Sequence, residues 1–164
     1  MALLRKITKP KWYNTPWLPA GDVPADALVD LRTQKNELSV WRVEAGEANL
    51  NAVIAALASN GTDRVANLDY VLLEDEAVAA LGIQCIKTDG DSPHQDANAR
   101  WHCDLVELTA TKVIRLAEEM KRHESEHKRL FPETVRSILL SALQAGALQR
   151  TAVTPKLLAE LEAS

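Results

Sequence analysis

Residues 68–88 read LDYVLLEDEAVAALGIQCIKT. Residues 68–74 form a short, mostly apolar run of strand composition, 75–82 open on Asp75 and close on Gly82 as a short helix does, and 83–88 read as a further strand. Upstream, ELSVWRVE (37–44) has the same strand character. Between the two, Leu50, Val53, Ile54 and Leu57 recur at helical spacing, with Asn49 placed to cap that helix and Asn60-Gly61 to end it. Strand, helix, strand, helix, strand implies crossover connections. The expected class is therefore α/β: a small, mostly parallel sheet of three or four strands flanked by helices, with a helical C-terminal extension. The fourth strand would be ALVDLRT (27–33), antiparallel to the first, although the same letters suit a helical turn.

Working outward, residues 1–21 contain Arg5, Lys6, Lys9 and Lys11 and no acid, with Trp12, Tyr13 and Trp17 set among Pro10, Pro16 and Pro19. Prolines oppose a regular helix or a central strand, so an extended basic and aromatic arm is expected over 1–22. Its rings either pack on the protein's own core or meet a partner. On the other side, residues 89–102 are polar and broken by Gly90 and Pro93, the composition of a surface loop. Asp104 and Glu107 are spaced as a reciprocal N-terminal cap, which predicts a helix of about 26 residues ending at Pro132. Pro132 opens another helix with Val135, Ile138, Leu139, Ala142 and Leu143 on one face, and Thr154-Pro155 opens a last one. The division expected is an arm (1–22), an α/β core (23–104) and a helical region (105–164) packed on it, one domain overall.

With 164 residues, 46% of them apolar and 26% charged, the chain is long enough for one proper core and has globular composition. A net charge of −4 gives no overall attraction to phosphate backbones or anionic lipid, so neither nucleic acid nor membrane is an expected partner. Cys85 and Cys103, the only cysteines, can build neither a disulfide framework nor a four-cysteine zinc site. Reduced thiols and the lack of any stretch of ~18 uncharged residues fit a cytoplasmic protein. Cys85 reads as a small buried apolar group in mid-strand, and Cys103 and its neighbour His102 should point apart. Adding His94 completes a set of possible zinc ligands, but at a spacing that matches no known site.

Residues 123–127 read HESEH. On a helix, His123 and His127 would share a face and Glu124 would stand beside the first, the arrangement that binds zinc and deprotonates its water. These five residues resemble the motif of the zincin metallopeptidases, which would make His123 and His127 metal ligands and Glu124 the catalytic base. Lys121, Arg122, Lys128 and Arg129 flank them, and such cations oppose a divalent ion. On a helical wheel Glu124 and His127 continue the apolar stripe of Val113, Leu116, Ala117 and Met120, with Phe131 at its centre.

Ligands of a parallel sheet collect at the carboxyl ends of its strands, where Glu44, Asp89 and Asp91 fall. Glu after the first strand and Asp-x-Asp after the third resemble the TOPRIM pattern of topoisomerases and primases, which implies magnesium and phosphoryl transfer or nuclease chemistry. The reading preferred over both metal sites is a non-catalytic accessory module with no cofactor. It would bind another protein, or a second copy of itself, through the long helix and the arm, using Trp12, Tyr13, Trp17, Glu124, His127 and Phe131. The alternatives are a zinc-dependent hydrolase using His123, Glu124 and His127, or a magnesium-dependent phosphoryl-transfer or nuclease site from the strand-end carboxylates.

Overall fold

The computed structural model describes residues 1–13 and 16–163, and every side chain in them except that of Glu124. Strands β1 (Ala2–Ile7), β2 (Leu38–Val43), β3 (Leu68–Glu74), β4 (Gln84–Lys87), β5 (His102–Val106) and β6 (His127–Leu130) form one sheet in the order β4-β5-β2-β1-β3-β6. Every neighbouring pair is antiparallel. The expected mostly parallel sheet of three or four strands is thereby overturned, although the α/β class stands.

The register supplies the reason. Strands β2, β3 and β4 do run in one direction, joined through α2 (Leu50–Ser59) and α3 (Asp75–Ala80). However, β1 lies between β2 and β3, pairing Leu3 with Arg42 on one side and with Leu73 on the other. Likewise β5 separates β2 from β4, pairing Cys103 with Val40 and Leu105 with Cys85. Each pair of co-directional strands is split by one running back.

The interleaved strands lie where other structure was expected. The prolines of the N-terminal stretch begin at Pro10, so they leave ALLRKI (2–7) free to pair on both edges, and β1 is central to the sheet. The proline restriction starts only with the four-residue helix α1 (Pro10–Tyr13). The helix expected from Asp104 to Pro132 is also replaced. Residues 102–106 are β5, Glu107 takes a left-handed backbone (φ 53°), and Thr109 caps α5 (Ala110–Arg122) by accepting from the Lys112 N–H at 3.3 Å. Helix α5 stops at Arg122, a 3-10 turn covers Glu124–Glu126, and His127 starts β6. Local helix propensity loses there to pairing with β3, where Arg129 meets Asp69. The 89–102 segment contains α4 (Gln95–Trp101), while α6 (Pro132–Gln144) and α7 (Pro155–Glu162) start at their prolines as expected. Asn49 does not cap α2. Its amide instead ties the end of β2, accepting from the Glu44 N–H and donating to the Arg42 carbonyl.

Because both faces of the sheet are covered, successive residues such as Leu3 and Leu4 are both buried. On one face Leu3, Ile7, Leu38, Val40 and Val71 pack beneath α5 and the 3-10 turn Ala25–Leu31. Trp12 is sealed in this layer, with its indole N–H donating to Asp30 Oδ2 at 2.9 Å. On the other face Leu4, Trp41, Val43 and Tyr70 pack beneath α2, α4, α6 and α7. Each such leucine or valine contributes roughly 1.5–3 kcal/mol of burial. Among the described residues, no helix is long and apolar enough to cross a membrane.

Candidate functional site

The two histidines of HESEH are not on one helix face. His123 follows the last residue of α5 and its Nε2 meets Glu119 Oε1 at 2.9 Å. His127 is buried in β6, where its Nε2 donates to the Met120 carbonyl at 2.8 Å and its ring stands edge-on to Trp12 and Tyr13. That bond places the ring proton on Nε2, so Nε2 is not the nitrogen that could meet a metal. The Glu124 side chain lies outside the described ones. Among the described residues, no group of three or more His, Cys, Asp or Glu is arranged to hold a metal ion.

The strand-end carboxylates are also divided. Glu44 accepts from the Trp101 indole N–H at 3.0 Å and lines a cavity with Glu47, Glu74 and His123. Asp89 and Asp91 line a different cavity, near the start of β2. The residues expected to meet a partner separate by depth: Trp12 and His127 are buried, Tyr13 is half-buried with the Lys121 ammonium 4.9 Å from its ring, and Trp17 and Phe131 are 77% and 60% exposed.

The cavity holding Asp89 and Asp91 is the best-built polar site. It has a volume of about 340 Å³ and is lined by Gln34, Lys35, Glu37, Ser39, Asp89, Gly90, Asp91, His102 and Asp104. Its floor follows from strand alternation. Ser39 and Asp104 are directly opposite in the β2–β5 register, on the same face as His102, and their side chains bond at 3.0 Å. Thr88, just past β4, donates its hydroxyl proton to Asp104 Oδ2 at 2.7 Å, and the same hydroxyl oxygen lies 2.9 Å from His102 Nδ1. A hydroxyl has one proton and a carboxylate only accepts. Hence His102 Nδ1 carries a hydrogen and donates it to Thr88, which leaves Nε2 as the basic nitrogen of the neutral ring. Trp41 holds the imidazole edge-on, with ring centres 5.0 Å apart.

The cavity's other wall is a pinned loop. Buried Asn98 of α4 accepts from the Ser92 N–H and hydroxyl at 3.2 and 2.6 Å and donates to the Ser92 carbonyl at 2.7 Å. Gly90 passes so close that a Cβ there would lie 2.8 Å from Asn98 Oδ1 and 3.2 Å from His102 Cγ. Four carboxylates line this opening against Lys35, with the Lys87 ammonium 3.8 Å from Asp89, so its field still favours a cation. Reading the sequence by motif missed Thr88, Ser39 and Asp104. The available signal was the alternation in HCDLV (102–106), which puts His102 and Asp104 on one face.

No protein-family model matches the chain, and neither the curated proteins nor the solved structures contain a significant match to it.

Proposed function

We propose that the protein binds a small, polar, positively charged molecule over His102 and exchanges a proton with it through His102 Nε2. The observation behind this is the chain Asp104–Thr88–His102, with bonds of 2.7 and 2.9 Å, because it selects the imidazole nitrogen that stays free to act as a base. Asp89, Asp91 and Glu37 supply the charge that would orient an ammonium group. A cavity of about 340 Å³ suits a ligand the size of a diamine or an amino sugar. The test is calorimetric titration with 1,4-diaminobutane, spermidine and glucosamine, alongside ¹⁵N NMR of the imidazole. Saturable amine binding, weakened about tenfold or more in Asp104→Asn, and a His102 ring protonated at Nδ1 are expected. A ring protonated at Nε2, or no binding by any of the three, would refute the proposal.

A second reading, a non-catalytic accessory module that binds a protein partner or a second copy of this chain, is supported by the exposure of Trp17 and Phe131. Light scattering across a hundredfold concentration range tests the self-association form. A mass that stays monomeric in the wild type and in Trp17→Ser/Phe131→Ser alike argues against it.

A further inference from the structure

On strands β4 and β5, across the sheet from His102 and Asp104, lie the chain's two thiols. Cys85 of β4 pairs in register with Leu105, and Cys103 of β5 pairs with Lys87, so the cysteines are diagonal neighbours on one face. Each thiol lies in the other's electrostatic surroundings, and the Arg42 guanidinium on β2 acts on Cys85 as well. Arg42 Nε is buried without a hydrogen-bond partner in the structure. The two sulfurs differ in access. Cys103 is fully buried, while half-buried Cys85 lines a groove of about 650 Å³ with Arg42, Asp75, Glu76, Ile83 and Ile86.

We propose that Cys85 is an oxidation site for small hydroperoxides and that Cys103 is its resolving thiol. The Cys85 thiolate attacks the outer oxygen of ROOH. The O–O bond breaks and the alkoxide leaves as ROH after taking a proton from water. Cys85 is then a sulfenic acid, its sulfur oxidised by two electrons while the peroxide is reduced by two. Cys103 sulfur displaces the sulfenic hydroxyl, its own proton leaves with that hydroxyl as water, and an S–S bond forms. The net change is two thiols and one hydroperoxide to one disulfide, one alcohol and one water.

Several features suit these roles. The neighbouring Cys103 thiol pulls the Cys85 thiol down to about 7 against its partial burial, with Arg42 adding to the pull. Cys103 is pushed up by Cys85 and by burial, so of the two thiols it is the buried one that keeps its proton. The thiolate is thus on the side that faces the groove. Diagonal neighbours have Cα atoms roughly 7–8 Å apart, just beyond usual disulfide spacing, so a small shift is needed. Strand β4 is suited to it, being an edge strand of four residues paired on one side only.

The experiment treats the purified full chain with equimolar hydrogen peroxide and reads intact mass, peptide maps and dimedone labelling. A loss of about 2 Da with a Cys85–Cys103 crosslink is expected in the wild type, and a dimedone adduct at Cys85 in Cys103→Ser. In Arg42→Gln, alkylation of Cys85 at about pH 6 should slow by about tenfold for each unit by which the thiol rises. The wild-type measurement stands even if a variant fails to fold. Dimedone labelling of Cys103 in place of Cys85, or no crosslink at any peroxide dose, overturns the proposal.

Discussion

Replacing Asp69 by Asn tests what holds the edge strand β6 to the sheet. Asp69 is directly opposite Arg129, which grips it with two parallel bonds, Nε to Oδ1 at 2.7 Å and Nη2 to Oδ2 at 2.8 Å. The Lys9 backbone N–H adds a third at 2.9 Å, tying in the segment after β1. Charged hydrogen bonds contribute about 1.5–3 kcal/mol each in isolation, but three on one carboxylate do not add. Arg129 is also 32% exposed, so water takes over part of its bonding once the carboxylate is gone. Asn keeps one acceptor and turns an NH₂ toward a donor, and the net loss should be about 2 kcal/mol at pH 7. For a chain of this length that lowers Tm by about 4–8 °C. Arg129→Met should cost more, since it leaves the Asp69 carboxylate, 7% exposed, without its cation. Burial works to raise the Asp69 carboxyl, but the Arg129 and Lys9 bonds outweigh it and hold it below its ordinary value. A depressed carboxyl stabilises the fold above its unfolded value near ~3.9, and that contribution fades as pH falls through the lower folded value. The gap between wild type and Asp69→Asn should therefore close below about pH 4. Scanning calorimetry across pH reads both effects. Melting points within about 1 °C at pH 7, or a gap that persists unchanged in acid, would refute this account of the strand.

Leu4→Ala, at a fully buried position on the central strand, should lose about 2–5 kcal/mol in urea titration without a change of fold by circular dichroism. Gly90→Ala places a Cβ against Asn98 and His102, so it should destabilise by about 1–3 kcal/mol and weaken amine binding at the polar cavity. His127→Ala deprives the Met120 carbonyl of its donor in a buried setting and should cost about 1–3 kcal/mol, whereas His123→Ala should cost under about 1 kcal/mol. Elemental analysis of untagged protein should give no stoichiometric zinc for either variant or for the wild type.

What made β2, β3 and β4 legible was that each is a short apolar run closed by a turn signal, and α3 between the last two is bracketed by Asp75 and Gly82. The three strands that run between or beside them carry weaker marks. ALLRKI (2–7) is short and stands next to a proline-rich stretch that draws the reading toward an extended arm. HKRL (127–130) has only Leu130 as an ordinary apolar residue, and its buried member is a histidine. Its strand state comes from Tyr70, Val71 and Asp69 across the ladder, which no local window contains. The helical wheel set His127 on the stripe of α5, whereas His127 is buried from β6, after α5 has ended at Arg122.

The chemistry was hidden for a related reason. Motif reading looks for functional side chains at fixed spacing along one element, as in HESEH, where the metal-binding geometry would have required α5 to continue through His127 rather than end at Arg122. The polar cavity instead draws Ser39 from β2, Thr88 from the end of β4, and His102 and Asp104 from β5, residues brought together only by strand register. The same strand, β5, sends Cys103 to the opposite face, between His102 and Asp104 in sequence yet across the sheet from both. A shift of one residue in the β2–β5 register would exchange the two sets, placing Cys103 in the polar cavity and His102 and Asp104 against the apolar layer beneath α5. Both sites therefore depend on one quantity, the pairing of Val40 with Cys103, and neither can be read from composition until that pairing is known.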